Sequence, residues 1–224
     1  MKNNTIVMAT MAVAVVGTSV QSCAAIATSS VGIAIIKQVL LGGISSGMAV
    51  FKDKDSFLKN GLIEKAMPES LVKINSMLER ISPSLVAKEK DYIAQAAAYT
   101  ANVSEPILKD AVNSLNSQDM ERITSGTTAT QILREKSSTL LVNALLPKVD
   151  EKLNQFGIVK SINSALSGSS LINSILGGNT SASAMQQGGL SRLATDQLVN
   201  GMFSIIEKHE KDNKSSILGA FNSK

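Results

Sequence analysis

Apolar residues recur at spacings of three and four along almost the whole chain, and no stretch alternates convincingly enough for a sheet. Each segment therefore carries one stripe to bury, and the partners on offer are other helices. Val31 to Phe51 places Ile33, Ile36, Leu40, Ile44, Gly47 and Phe51 on one side. Pro68 opens a segment with Leu71, Ile74, Leu78 and Ile81 facing one way, stopped by Ser82-Pro83. Leu85 to Ala101 reads as an Ala-rich helix. Ser104-Glu105-Pro106 then reads as a fresh start: a hydroxyl cap, an acid and a proline in the first turn. Its buried face would be Ile107, Leu108, Ala111, Val112 and Leu115, and Ser117 with Asp119 would start a short helix ending at Gly126.

Thr128-Ala129-Thr130-Gln131 has the form of a capping box. It launches a helix through Ile132, Leu133, Leu140, Leu141, Ala144 and Leu145 to Pro147, continued by Val149, Leu153 and Phe156 to a stop at Gly157. A Ser/Gly/Asn-rich stretch, 167–189, reads as a mobile excursion. A last helix from Leu190 to near Asp212 buries Leu193, Leu198, Met202, Phe203 and Ile206, and Ile217, Leu218 and Phe221 form a terminal hook. The expected fold is all-α: a single irregular multi-helix bundle over 33–224, after an N-terminal export signal.

Composition narrows the chemistry. The chain has 224 residues with Cys 1, His 1 and Trp 0, and 3% aromatic residues. One Cys excludes an internal disulfide framework and a Cys-based metal site, and one His excludes His-pair motifs. Few aromatics argue against base-stacking platforms. The formal net charge of +4 falls to +3 once Lys2 leaves with the leader, too little to call for nucleic acid. Runs such as Lys52-Asp53-Lys54-Asp55, Glu89-Lys90-Asp91 and Glu207 to Asp212 alternate in sign and read as solvated faces and helix ends.

Residues 1–22 carry a positive start at Lys2, an apolar stretch from Ile6 to Val16 and small residues at Gly17-Thr18-Ser19. Val20-Gln21-Ser22-Cys23 follows, and it resembles the lipobox of bacterial lipoproteins, with Gln21 an unusual occupant of its middle position. That resemblance implies a diacylated Cys23 thiol, cleavage before it, and a membrane anchor through its acyl chains, with 23–32 as a tether. Two or more chains make such an anchor stable where one is marginal. No acidic residue follows Cys23, which makes the outer membrane, facing the periplasm, the default destination. Val31 to Phe51, with Gly43 and Gly47 in a G-x-x-x-G spacing, competes between a second membrane helix and a core helix. Lys37, Gln38, Ser45 and Ser46 wet its other side and favour the core helix.

Asp119, Thr130 and Arg134 form the most interesting polar group. Thr130 and Arg134 lie four apart on one helix face, and Asp119 starts the helix before. A guanidinium near helix N-termini suits an anion or carboxylate. The competing and favoured reading is structural: a cap, with an Asp–Arg pair fixing the angle between two helices. His209 reads as a solvated helix-end histidine, and Asp150-Glu151 and Glu207/Glu210 as carboxylates on polar faces. No nucleophile elbow, P-loop, dinucleotide fingerprint or calcium loop is present.

Phe57-Leu58-Lys59-Asn60, Pro68 with Leu71, Ser117-Gln118-Asp119, and Gly126 with Ala129-Thr130 and Arg134 follow in order along the chain. Thr195-Asp196 with Gly201, Phe203 and Ile206, then Leu218 with Phe221, complete the series. In that order and spacing, from about Ile36 to Phe221, the chain resembles domain of unknown function 4197, a family of exported, mostly helical bacterial proteins. The resemblance implies the helical fold and export, and no established activity. The chain departs from the family pattern at Ala94-Gln95-Ala96-Ala97-Ala98, where an Arg and an acid are usual, and at Leu133, where an aromatic is usual.

The expected role is that of a lipid-anchored envelope protein docking on an envelope partner as a non-enzymatic interaction or structural module, with no cofactor, no metal and no nucleic-acid partner. The alternative is a helical binding protein for a small apolar ligand, suggested by the methionines and the Ala/Leu-rich faces.

Overall fold

The computed structural model describes residues 30–166 and 189–215. Over these residues the chain forms nine helices and no strand: α1 (Ser30–Lys52), α2 (Lys54–Leu58), α3 (Gly61–Lys65), α4 (Glu69–Ile81), α5 (Pro83–Asn113), α6 (Ser117–Thr124), α7 (Ala129–Gln155), α8 (Ile158–Leu166) and α9 (Leu190–Asp212). The export signal, Cys23, nearly all of the 167–189 excursion and the hook at Ile217, Leu218 and Phe221 lie outside the described residues. Helix α1 starts at Ser30, inside the stretch read as a tether.

Four long helices make the frame. α1 packs on α5 and α9, and α7 packs on the same two from the opposite corner. Neighbours run antiparallel. Lys37 Nζ donates to the Asn113 carbonyl at 2.8 Å while Lys52 pairs with Glu105, which sets α1 against α5. Arg134 meets Asn200 and Asp150 meets Ser191, which sets α7 against α9. The frame is thus an up-down-up-down bundle. α2, α3 and α4 fill the step from α1 to α5, α6 spans α5 to α7, and α8 packs on α5, α7 and α4.

Helix α1 is long and apolar enough to cross a membrane by length and composition. In this fold it is a core helix: Ile36, Leu40, Ile44, Met48 and Phe51 are buried in the bundle. Its glycines set how closely it lies against α9. A Cβ at Gly47 would stand 2.5 Å from Met202 Sδ, and one at Gly43 would stand 3.1 Å from Ile206 Cα. One at Gly42 would meet His209 Nε2 at 2.6 Å. Backbone and sulfur fill the space that side chains would need, so the G-x-x-x-G spacing serves a helix seam within the bundle.

Two helix boundaries differ from expectation. α5 runs unbroken from Pro83 through Pro106, and α7 runs through Pro147. An interior proline removes one backbone bond and costs about 3 kcal/mol. Pro106 and Pro147 both face solvent, as do Asn102 and Asn143 four residues earlier, so the freed carbonyls meet water. On the inner side Ala97, Ala101, Leu108 and Val112 form one buried stripe across Pro106, and that continuity outweighs the local signal. Ser104 does not cap a new helix; its hydroxyl donates back to the Thr100 carbonyl at 3.0 Å. Ile81 and Leu140, expected inside, are exposed. Gly157 (φ +65°) ends α7 as expected, in a left-handed turn that other residues rarely adopt.

Filling the seam gives a direct test. Gly47→Leu should lower the unfolding free energy by about 1–3 kcal/mol or more through overpacking. Ser45→Leu, on the exposed face of the same helix, should change it by less than about 0.5 kcal/mol. Urea denaturation followed by circular dichroism reads both.

Candidate functional site

The polar residues singled out in the sequence go to two places. Asp119 is buried at the start of α6, where it and Asn116 exchange bonds. The Asn116 N–H donates to Asp119 Oδ2 at 3.0 Å, and the Asp119 N–H donates to Asn116 Oδ1 at 3.2 Å. The ion-pair partner of Asp119 is Lys136, at 3.0 Å, so the expected Asp119–Arg134 pair does not form. At about 100° per residue, positions 134 and 136 point to nearly opposite sides of α7, and only one of them reaches α6.

Thr130 and Arg134 do share a face, the one turned to α9. The Arg134 guanidinium lies 4.4 Å from the centre of the Phe203 ring, and its Nη1 donates to Asn200 Oδ1 at 2.8 Å. Burial lowers its pKa from the ordinary arginine value, and the negative charge of Glu207 acts the other way. Thr130 is occupied by Glu210. The backbone N–H of Ala129 donates to Glu210 Oε1 and that of Thr130 to Oε2, both at 2.8 Å, and the Thr130 hydroxyl donates to Oε2 at 2.6 Å. The anion that a helix N-terminus attracts is here supplied by the chain itself. Thr128 Oγ1 takes the Gln131 N–H at 3.1 Å, so one half of the capping box is local and Glu210 supplies further capping from across the bundle. His209, next along α9, is half-buried against Gly42, so it is less solvated than its charged neighbours suggested.

Glu89 corrects the reading of its charge run as a solvated face. It is fully buried on α5, where its Oε2 accepts from Asn75 Nδ2 at 3.3 Å. Its Oε1 and Asn75 Oδ1 have no protein partner. Burial pushes the carboxyl up to about 7, against the smaller opposing pulls of Asn75 and Lys90. Asn75 also reaches Met67 Sδ at 3.6 Å, and Met67 borders a cavity of about 50 Å³ together with Ile63, Ile93 and Gln197. Gln197 donates to the Ile63 carbonyl at 3.5 Å, and its Oε1 has no protein partner. Such a space holds a few water molecules. Among the described residues no group of three His, Cys, Asp or Glu side chains is placed to hold a metal ion.

An open groove of about 660 Å³ lies between α5 and α7. Tyr99, Asn102 and Val103 of α5 line one side, and Lys148 and Lys152 of α7 with Phe156 at its end line the other. The Nζ atoms of Lys148 and Lys152 stand 5.4 and 4.6 Å from the centre of the Tyr99 ring. Phe156 stacks on Tyr92 with centroids 4.2 Å apart, which makes that end of the groove rigid. Sequence reading passed over this site because its residues are 49 and 53 positions from Tyr99 and form no local motif.

An all-helical bundle, most of whose inner polar groups are tied to one another, with an open groove lined by two lysines, is what the described residues define. The family described as Protein of unknown function (DUF4197) matches residues 27–220, and the chain belongs to it. No curated protein and no solved structure matches the chain.

Removing the carboxylate that caps α7 should cost about 2 kcal/mol in Glu210→Ala, since three charge-assisted bonds go with it. Asp212→Ala, which breaks only the exposed pair with Lys208, should cost less than about 0.5 kcal/mol in the same urea titration. The raised Glu89 carboxyl sets a pH slope of known sign. Its folded value of about 7 lies above the ordinary 4.5, so the folded state holds the proton more tightly. The stability it contributes is complete below pH 4.5 and is lost as pH rises through 7, on the order of 3 kcal/mol in all. Glu89→Gln should remove that part of the decline, measured as the difference in unfolding free energy between variant and parent from about pH 5 to 8.

Proposed function

We propose that this is a lipid-anchored module of the bacterial cell envelope, seated in the outer membrane and facing the periplasm, that docks on an envelope partner and performs no catalysis itself. The observation that carries this reading is the α5–α7 groove, open along two helical turns and walled by an exposed tyrosine and two lysines. Grooves of this size and lining suit a protruding segment of another molecule. The sequence supports the anchor: Cys23 closes a lipobox-like tetrapeptide, seven positions before Ser30, where α1 starts. The polar cluster at Asp119, Thr130 and Arg134 fits this division of labour, because its groups hold α6, α7 and α9 together. For a small apolar ligand between the helices, the cavity beside Gln197, about 50 Å³, falls well short of the hundreds of Å³ such ligands occupy, and the larger α5–α7 groove carries two lysines that suit a charged partner better.

Fractionation of the native host tests the anchor. The parent chain should sediment with outer membranes and incorporate labelled palmitate, and Cys23→Ser should do neither. A photo-crosslinking amino acid in place of Tyr99 tests the docking: it should capture one envelope protein, and the same group in place of the exposed Val72 on α4 should not. Equal capture from both positions, or none from Tyr99, refutes the docking.

A further inference from the structure

We propose that the α5–α7 groove binds an acidic peptide segment of that partner, its carboxylates between Lys148 and Lys152 and its apolar flank on Tyr99 and Phe156. The inference rests on the docking reading and adds the chemistry of what docks. It starts from charge. Lys148 and Lys152 lie four apart on α7, where like charges repel, and both ammonium groups converge on one ring. Among the described residues Lys54, Lys73, Lys109 and Lys136 are paired with a carboxylate, whereas Lys59, Lys65, Lys88, Lys90 and Lys160 make no ion pair; what sets the two groove lysines apart is that both stand over one ring. Among the same residues Lys148 and Lys152 have no carboxylate partner; Lys152 reaches only the neutral Gln155 Oε1, at 3.2 Å. Asp91, hydrogen-bonded to Gln95 at one edge of the groove, is itself paired with Lys54. The groove is therefore a concave surface with two positive charges, two aromatic rings and no acid among its lining residues.

Shape and place select a peptide. The groove is a cleft about two helical turns long, with Tyr99 exposed along it. On the anchored reading it also lies well along the bundle from the end at which α1 starts. Asn113 stands level with Lys37 near the start of α1, and Tyr99 is 14 positions back along α5, or about 20 Å at 1.5 Å per residue. A partner's chain carrying acids beside apolar residues satisfies both walls: carboxylates meet the ammonium groups, and side chains cover Tyr99, Val103 and Phe156.

The test uses purified full-length protein in non-ionic detergent, titrated with a fluorescent peptide of alternating Glu and Leu and with its counterpart carrying Lys for Glu. The acidic peptide should bind the parent and the Lys148→Arg/Lys152→Arg variant. Lys148→Glu/Lys152→Glu should weaken it by about tenfold or more. The basic peptide should bind that last variant and ignore the parent, a reversal that misfolding cannot produce. Equal binding of both peptides to the parent, or no loss in the doubly acidic variant, overturns the proposal. So does Lys148/Lys152-dependent binding of inorganic phosphate, or of vesicles of phosphatidylglycerol and phosphatidylethanolamine, in the absence of acidic-peptide binding. Crosslinking from Tyr99 separates the two levels of failure. Capture that persists in the doubly acidic variant overturns the acidic partner and leaves docking in place, and no capture in the parent overturns docking itself.

Discussion

The approach of α1 to α9 governs the rest of the bundle. Gly42, Gly43 and Gly47 let the two backbones close on one another, with Met202, Ile206 and His209 lying where side chains of α1 would otherwise stand. Once α9 is seated there, its two ends are placed. One end brings Gln197 to the Ile63 carbonyl, with Gly201 letting Ile63 lie against α9; a Cβ there would stand 3.2 Å from Ile63 Cγ1. The other end carries Glu210 to the start of α7. Widening the seam by a methyl-sized step would move both contacts together, because α9 is a rigid rod joining them. Van der Waals packing at the seam and a charge-assisted cap at α7 are thus one mechanical unit.

The distribution of charge follows from that frame. Where α9 meets α7, each ionic or polar group has an internal counterpart: Glu210 with Thr130, Arg134 with Asn200 and Phe203, Asp150 with Ser191. These contacts fix the register of two antiparallel helices, which apolar stripes alone leave free to slip. Glu89 is a buried carboxyl with one side-chain partner and one bare oxygen, and it makes the α4–α5 contact sensitive to pH. Burial of that group costs stability whenever it is ionised, so the alkaline side of neutrality is where this contact is weakest.

Much of this was legible in the sequence, and the failures share a physical cause. The buried faces of α1, α4 and α9 were readable because each is a plain stripe at spacings of three and four with end signals that agree. Thr130 and Arg134 were correctly placed on one face by the same geometry. Pro106 and Ser104 misled because their local preference is for a helix start, and the stripe from Ala97 to Val112, packed on both α1 and α7, overrides it. Glu89 misled for a related reason: flanked by Lys90 and Asp91 it looks solvated, yet it falls on the same face as Val86 and Ile93, three before and four after. That spacing was the available signal. Glu210 had no local signal, since its partners are about 80 residues away.

The groove shows why a pair of lysines without acids is informative in a bundle like this one. Lys73, Lys109, Lys208 and Lys211 each sit within reach of a carboxylate four positions along the same helix, which lets each remain near its neighbour at little cost. Helix α7 carries Asp150 and Glu151 between its two groove lysines, and both are spent or turned elsewhere: Asp150 accepts from Ser191, and Glu151 is exposed and makes no ion pair with Lys148 or Lys152. The ring of Tyr99 offers the two ammonium groups a negative π face, which offsets part of their repulsion and holds them over the ring instead of letting them extend into water. The cations are consequently pre-positioned over an apolar surface, and an incoming carboxylate would find the ordering already done. The ring relieves only part of the repulsion between the two ammonium groups, and an anion from outside would relieve more of it.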